Sequence, residues 1–279
     1  MKLGFLVIDL HTHLRSNIPL HTKVAKESGI DFVIYMANCF PPLDNLRLIK
    51  KSLKEKRYCR AIPVSAITKN LAGKELVDVD KIKPYVAGFS DDGNYLKNLK
   101  LLKEILRKKV LVLAHCSPPY ERGVKNPDLE TKFIERYLNV LEKIGKNIGG
   151  WLHIQHISKK RSISVIKKAK RKGLNLSCET CPHYFTYSRE DLEVKVNPPL
   201  GLNEDILALK KGLRDGTIDV IASDYAPLPR KTGLAGFRTL IPFSYSLVLE
   251  GVLTKSQLKE KLFLNPKKII EKGGYKIKI

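Results

Sequence analysis

The sequence predicts an α/β chain folded as a (β/α)8 TIM barrel, and three observations predict it. Eight short apolar segments alternate with amphipathic, lysine-rich ones, the pattern of a parallel sheet with helices covering it. Several of the eight are nearly continuous apolar runs, as strands buried on both faces require. The chain has 279 residues, and a barrel of this kind takes about 250, so one barrel uses nearly all of it. No Pro/Gly/Ser-rich linker or low-complexity tract interrupts the chain, and 1–279 reads as a single domain.

In chain order, the first candidate strand is 4–11 (GFLVIDLH), followed by a helical pattern at 19–28. Strands at 31–38 (DFVIYMAN) and 59–67 (CRAIPVSAI) enclose a helical stretch at 44–56. Residues 68–84 carry the weakest helical signal. Strand 86–91 (VAGFSD) leads to a helix at 95–108, and strand 110–116 (VLVLAHC) to one at 128–147. Strands 151–157 (WLHIQHI), 175–181 (NLSCETC) and 219–224 (DVIASD) are followed by helical patterns at 161–172, 203–214 and 243–262.

The formal net charge is +23. Such a charge serves either anion and nucleic-acid binding or a lysine-rich solvated surface. The basic residues are spread over many helical segments, with no zinc-finger or RNA-recognition signature beside them. The solvated surface is therefore the reading, and a nucleic-acid partner is not expected. The longest apolar runs, such as Val110 to Ala114, are too short to span a bilayer. The N-terminal segment has no signal-peptide cleavage pattern, so a cytoplasmic location without membrane association is expected. The five cysteines, Cys39, Cys59, Cys116, Cys178 and Cys181, are an odd number and argue against a disulfide framework. Cys178 and Cys181 form a lone C-x-x-C without the second pair that a structural zinc site needs, and they read as core thiols.

Catalytic groups of a barrel sit at the C-terminal ends of its strands. Here those ends carry Asp9, His11 and His13, then Asp91 and Asp92, His115, His156 and Asp224. Residues i and i+2 of a strand share a face, so His11 and His13 can chelate one divalent ion. Mixed imidazole and carboxylate ligands suit zinc with an open position for water, and a carboxylate between two ions would support a two-metal site. His153, three residues before His156, points to the opposite side of its strand and reads as packing or as a support for other groups. His183 reads as an orienting residue and His21 as a surface one.

These residues resemble those of dihydroorotase, a member of the amidohydrolase superfamily. The likeness runs from about residue 8 to about residue 270, with motifs in the family's order. DLHTHLR is similar to the metal-binding opening, and ANCFPPLDN to the substrate-contacting PNTRP segment. FSDDG resembles the acidic motif of the long bacterial type, LAHC the "HCE" strand end, and IDVIASDYAPLP the "ATDHAPH" motif. The most specific stretch is HIQHISKKRSISVIKKAKRKGLNLSCETCPHYFTYSREDL, followed by KVNPPL.

The resemblance implies that His11, His13 and Asp224 bind one metal. Asp92, chosen over Asp91 by motif alignment, would bridge to a second metal held by His115 and His156; the cofactor would be one or two zinc ions. Arg15 would clamp the carboxylate of a small anionic substrate, for which a guanidinium fork is suited. Asn38 and Asn197 match substrate-binding asparagines, and the turn at Thr232 and Gly233 a backbone contact to the ring. The implied reaction is the reversible, metal-assisted hydrolysis of the cyclic amide of dihydroorotate to N-carbamoyl-L-aspartate, a step of pyrimidine biosynthesis. In it Asp224 would pass a proton from water to the leaving nitrogen.

The sequence departs from the family in three places. Tyr225 and Leu228 stand where the family has histidines, the second of which contacts substrate. The loop after Asp224 reaches Gly233 in nine residues. The chain begins almost at the metal motif and ends soon after LNPKKII, so the barrel is expected without the small β-sandwich of the family. Two alternatives follow: an amidohydrolase acting on another cyclic amide or ureide, and a catalytically inactive barrel serving as a partner of aspartate carbamoyltransferase. A homodimer is the other association left open.

Overall fold

The structure is a computed structural model that describes residues 3–15, 17–117, 129–145, 149–227 and 233–278. Among these residues seven strands run parallel to their neighbours: β1 (Ile8–Thr12), β2 (Phe32–Tyr35) and β3 (Arg60–Pro63) in one run, and β4 (Leu111–Ala114), β5 (Trp151–Ile154), β6 (Leu176–Thr180) and β7 (Val220–Ile221) in another. The eighth position, between the two runs, is the expected strand at 86–91. It pairs on both sides, with Ala87 N–H donating to Pro63 O and Phe89 N–H to Leu111 O, each at 2.9 Å. It is bridged at Ser65–Phe89 and Phe89–Val112 rather than forming a continuous strand. Pro63 has no N–H to return to this segment. Gly88 lies so close to β4 that a Cβ there would fall 2.8 Å from Leu111 O, which only glycine tolerates. A parallel bridge between Thr12 and Tyr225 closes the ring, with His13 N–H donating to Tyr225 O at 2.7 Å. The result is a (β/α)8 barrel. Its one antiparallel bridge among the described residues joins Thr68 and Leu76.

Helices cover the strands close to their expected positions: α1 (Ile18–Glu27), α2 (Leu46–Leu53), α4 (Leu99–Arg107), α5 (Leu129–Ile144), α6 (Lys160–Arg171) and α8 (Asn203–Arg214), with the short α3 (Val79–Ile82) in the weak third unit. Side chains of Asn17, Asn45 and Asn98 cap α1, α2 and α4, each accepting a backbone N–H that has no partner within the helix. The single helix expected at 243–262 is instead α9 (Phe237–Leu249), α10 (Lys255–Lys259) and a π-turn at Glu260–Leu264, followed by α11 (Asn265–Lys272). Gly251, at φ 69°, ends the first piece. Thr254 and Gln257 form a capping box that starts the next, a start signal that apolar periodicity alone runs across. The short α7 (Pro182–Thr186), after β6, was not expected. Among the described residues no helix is long and apolar enough to cross a membrane.

Two apolar clusters form the core. The larger packs the outward strand faces against the helices, with Val33, Val112, Leu152 and Leu176 at its centre. The smaller lines the barrel interior with Ile8, Leu10, Ile34, Met36, Leu111, Leu113 and Val220, and Ile269 and Ile270 of α11 pack into it. On β5 and β6 the alternation puts apolar side chains outward, so His153, Ser177 and Glu179 face the interior. All three are buried. The register of β1 against β2 shifts between Asp9 and Thr12. Such an irregularity re-aims side chains, and it lets His11 face the interior directly after Leu10.

Asp9 and Asp91, two of the carboxylates at strand ends, serve the barrel itself. Asp9 accepts the Ser223 backbone N–H at 3.0 Å and its hydroxyl at 2.5 Å, tying β1 to the segment after β7. Burial pushes its carboxyl up to about 7, against the Ser223 bonds. Asp91 accepts N–H groups of Ile67 and Thr68 at 2.8 and 3.0 Å and the Thr68 hydroxyl at 2.5 Å, fastening the loop after β3. Asp9→Ala strands two buried donors of Ser223, and each costs about 1–3 kcal/mol when unsatisfied. Urea unfolding should therefore give a loss of that order or more, whereas an unchanged midpoint would remove Asp9 from the closure.

Candidate metal centre

The six candidate ligands converge at the C-terminal mouth of the barrel. His11 Nε2 lies 2.5 Å from Asp92 Oδ2 and 3.5 Å from Asp224 Oδ1. His13 Nε2 lies 3.2 Å from the same Asp224 oxygen and 3.7 Å from Asp92 Oδ2. Asp92 turns its other oxygen to His115 Nδ1 at 3.0 Å, and His115 Nδ1 is 2.7 Å from His156 Nε2. The Asp92 carboxylate thus spans from the His11–His13 side to the His115–His156 side. Two overlapping groups have donor atoms close enough together for one ion each: His11, His13 and Asp224, and His11, Asp92 and His156. His115 touches the second group through Asp92 and His156. Asp91 points away from the site, so the geometry selects Asp92.

Backbone strain aims two of these side chains. His156 has φ 35° and Asp224 φ 49°, left-handed values that non-glycine residues hold only where surrounding structure imposes them. Both lie in the segments just after short parallel strands, His156 after β5 and Asp224 after β7.

Buried charges of opposite sign shift one another within the cluster. Burial would lower the His11 imidazole, but Asp92, Asp224 and Glu179 hold it well above the ordinary histidine range. Burial would raise Asp92, but His11 and His13 hold it well below the carboxylate range, and the same opposition holds Asp224 down through His11 and His13. Burial, with His115 and His11 nearby, lowers His156 to about 3. His11 Nε2 is buried in short contact with a carboxylate yet has no partner with hydrogen-bond geometry. Imidazoles and carboxylates crowded around such an atom fit a divalent cation, and zinc accepts this donor set.

Other predicted residues surround the mouth. Asn38 Oδ1 is 2.9 Å from His13 Nδ1, and its amide donates to Asp92 O at 3.3 Å, so it orients two ligands. Asn197 accepts from the Ser117 hydroxyl at 2.9 Å, and its Nδ2 is 3.2 Å from His115 Nε2. Arg15, at φ 54°, is near enough to add to the burial that lowers His21. Gly233 donates its N–H to Lys195 O at 3.0 Å. Thr232 and Leu228 lie outside the described residues. His21 is half-buried rather than a free surface residue: its Nδ1 is 2.9 Å from the Tyr225 hydroxyl, and Tyr225 stacks on Phe237 at 3.6 Å. His183 is buried beside Tyr184, with burial pushing it down to about 4.

Sequence reading missed Glu179. Its carboxylate is 2.7 Å from His11 Nδ1 and 3.1 Å from His153 Nε2, and these imidazoles overcome its burial to hold it at about 2. Gln155, also missed, donates to Asp92 Oδ2 at 3.3 Å. The available signal was a carboxylate inside a fully buried strand.

No protein-family model matches the chain. It is 32% identical to a dihydroorotase of Trichlorobacter lovleyi, over 98% of this chain and 74% of that protein. It is also 32% identical to a dihydroorotase of Acetivibrio thermocellus, over 95% of this chain and 72% of that protein. Among solved structures it is similar to the L-hydantoinase (dihydropyrimidinase) from Arthrobacter aurescens, with a TM-score of 0.81 and 20% identity, over 95% of this chain and 70% of that one. It is likewise similar to the dihydroorotase from Saccharomyces cerevisiae in complex with 5-fluoroorotic acid, with a TM-score of 0.78 and 16% identity, over 97% and 85%.

The carboxylates around His11 favour its protonated form, so a cation entering this cluster competes with a proton there. Zinc binding should therefore release protons and tighten as pH rises, which calorimetry in buffers of different ionisation enthalpy measures. Asp92→Asn should abolish most zinc binding while Asp91→Asn mainly lowers stability; equal zinc loss in both variants would contradict the geometric choice between them.

Proposed function

The chain belongs to the dihydroorotase family, and from that premise we propose that it is a zinc-dependent cyclic amidohydrolase that opens the ring amide of dihydroorotate to N-carbamoyl-L-aspartate, reversibly. The observation that carries the reading is the single carboxylate, Asp92, lying between two histidine pairs. His11, His13 and Asp224 would hold one zinc, and His115 and His156 a second, with Asp92 shared. Bound zinc supplies polarisation of the ring carbonyl and a water of lowered pKa.

The chain's own residues do the rest. Asp224, kept ionised by His11 and His13, is the group that takes the proton from water and hands it to the leaving nitrogen. Arg15 would grip the substrate carboxylate with two parallel N–H donors. Asn38 and Asn197 have amides that could turn from His13 and His115 to substrate polar groups. Tyr225, engaged by His21 and Phe237 where the family pattern has histidine, favours a second reading: another cyclic ureide as the substrate.

Loss of dihydroorotate ultraviolet absorbance with zinc-loaded protein tests the proposal. Activity should vanish with a chelator and return with zinc. Turnover of hydantoin or dihydrouracil but not of dihydroorotate would move the assignment to the second reading. In the active protein, Asp224→Asn should lower kcat by about 10²–10⁴-fold, the usual worth of a general acid–base group. Arg15→Lys should lower kcat/KM without changing zinc content, because the planar fork is lost while the charge remains; wild-type kinetics would remove Arg15 from the substrate site.

A further inference from the structure

A chain of hydrogen bonds runs through the barrel interior, from the metal cluster toward the opposite end of β5. His11 Nδ1 meets Glu179 Oε1 at 2.7 Å, Glu179 Oε2 meets His153 Nε2 at 3.1 Å, and His153 Nδ1 meets Ser177 Oγ at 2.8 Å. Ser177 Oγ also meets Trp151 Nε1 at 2.9 Å. We propose that Glu179 is a positioning residue that makes Nε2 the nitrogen His11 offers to a metal, and that His153, Ser177 and Trp151 complete this arrangement. The inference rests on the metal-centre reading above.

The polarity follows from the carboxylate in the middle. Ionised Glu179 only accepts, so its two oxygens require protons on His11 Nδ1 and His153 Nε2. A neutral His153 then has Nδ1 free to accept the Ser177 hydroxyl proton, and a lone pair of the Ser177 oxygen takes the Trp151 N–H, which can only donate. His11 can then yield only Nε2, the atom facing Asp92 and Asp224. His11, His153 and Glu179 are 0% exposed and Ser177 2%, so bulk water offers no alternative partners.

A plain brace between β1, β5 and β6 needs no such group. Burying a carboxylate costs several kcal/mol before its partners compensate, and an apolar side chain would join the three strands without that cost. What an apolar side chain cannot do is select one ring nitrogen of His11. Partners of this kind hold the ring and tautomer of a metal-binding histidine, and their loss commonly weakens metal affinity about 10–100-fold.

The test uses the full chain and zinc alone, with affinity read by competition against a chromophoric chelator. Glu179→Gln puts an amide NH2 against one of two imidazole N–H groups, so one ring must turn or change tautomer. Zinc affinity should fall by about 10–100-fold. Ser177→Ala, two links from any ligand, should lower it less but in the same direction, and decides the matter if Glu179→Gln does not fold. Nitrogen-15 spectra of the metal-free wild type should show His153 as the Nε2–H tautomer. Zinc bound equally by wild type and variants, or His153 found as the Nδ1–H tautomer, would overturn the relay alone. A wild type that binds no zinc would instead overturn the metal centre on which it rests.

Discussion

Asp92 and Glu179 bracket the His11 imidazole from its two nitrogens, at 2.5 and 2.7 Å, and the mouth of the barrel is organised around that contact. The Glu179 hydrogen bond fixes the ring at Nδ1 and leaves Nε2 facing the Asp92 carboxylate. The register shift in β1 is what brings it inward, at the point where the apolar lining of Ile8 and Leu10 ends. Below this level the interior is mostly aliphatic. Above it, within the space of a few side chains, four imidazoles and two carboxylates face one another with little water to screen them. Charges this close in a poorly polarisable interior interact strongly, so the cluster is stable only if its net charge is balanced by a proton or a cation.

That balance explains why the surrounding structure is so heavily tied. Asp9 closes β1 to the segment carrying Asp224, and Asp91 fastens the loop after β3 beside Asp92. His156 and Asp224 hold left-handed backbone beyond the ends of β5 and β7. Each of these features fixes a donor atom before any ion arrives, which lowers the reorganisation that binding requires. Asn38 and Gln155 extend the same logic by occupying the remaining hydrogen-bonding positions of His13 and Asp92.

Much of this was legible in the sequence because two periodicities are simple. The i, i+2 spacing of His11 and His13 survives the irregularity in β1, since the shift moves both together. The alternation of apolar runs with amphipathic stretches gave the strand order and most of the helices. Other features were hidden for physical reasons. The segment at 86–91 reads as a full strand, but Pro63 and the close approach at Gly88 reduce it to bridges. The division at Gly251 and Thr254 depends on turn and cap chemistry, which apolar periodicity does not register. Adjacent carboxylates such as Asp91 and Asp92 look alike in a sequence, and only the N–H groups of Ile67 and Thr68 separate them. Glu179 was missed because its importance lies in a partner 168 residues away.

The central claim is that this buried cluster is a preorganised cation site with Asp92 at its middle. Crystals grown with zinc, with data collected on both sides of the zinc absorption edge, test it most directly. The account predicts anomalous density at the barrel mouth, bonded at about 2.0–2.2 Å to His11, His13 and Asp224 or shared through Asp92 with His115 and His156. Zinc found only on surface side chains, with the mouth keeping its present contacts and no anomalous peak there, would contradict it.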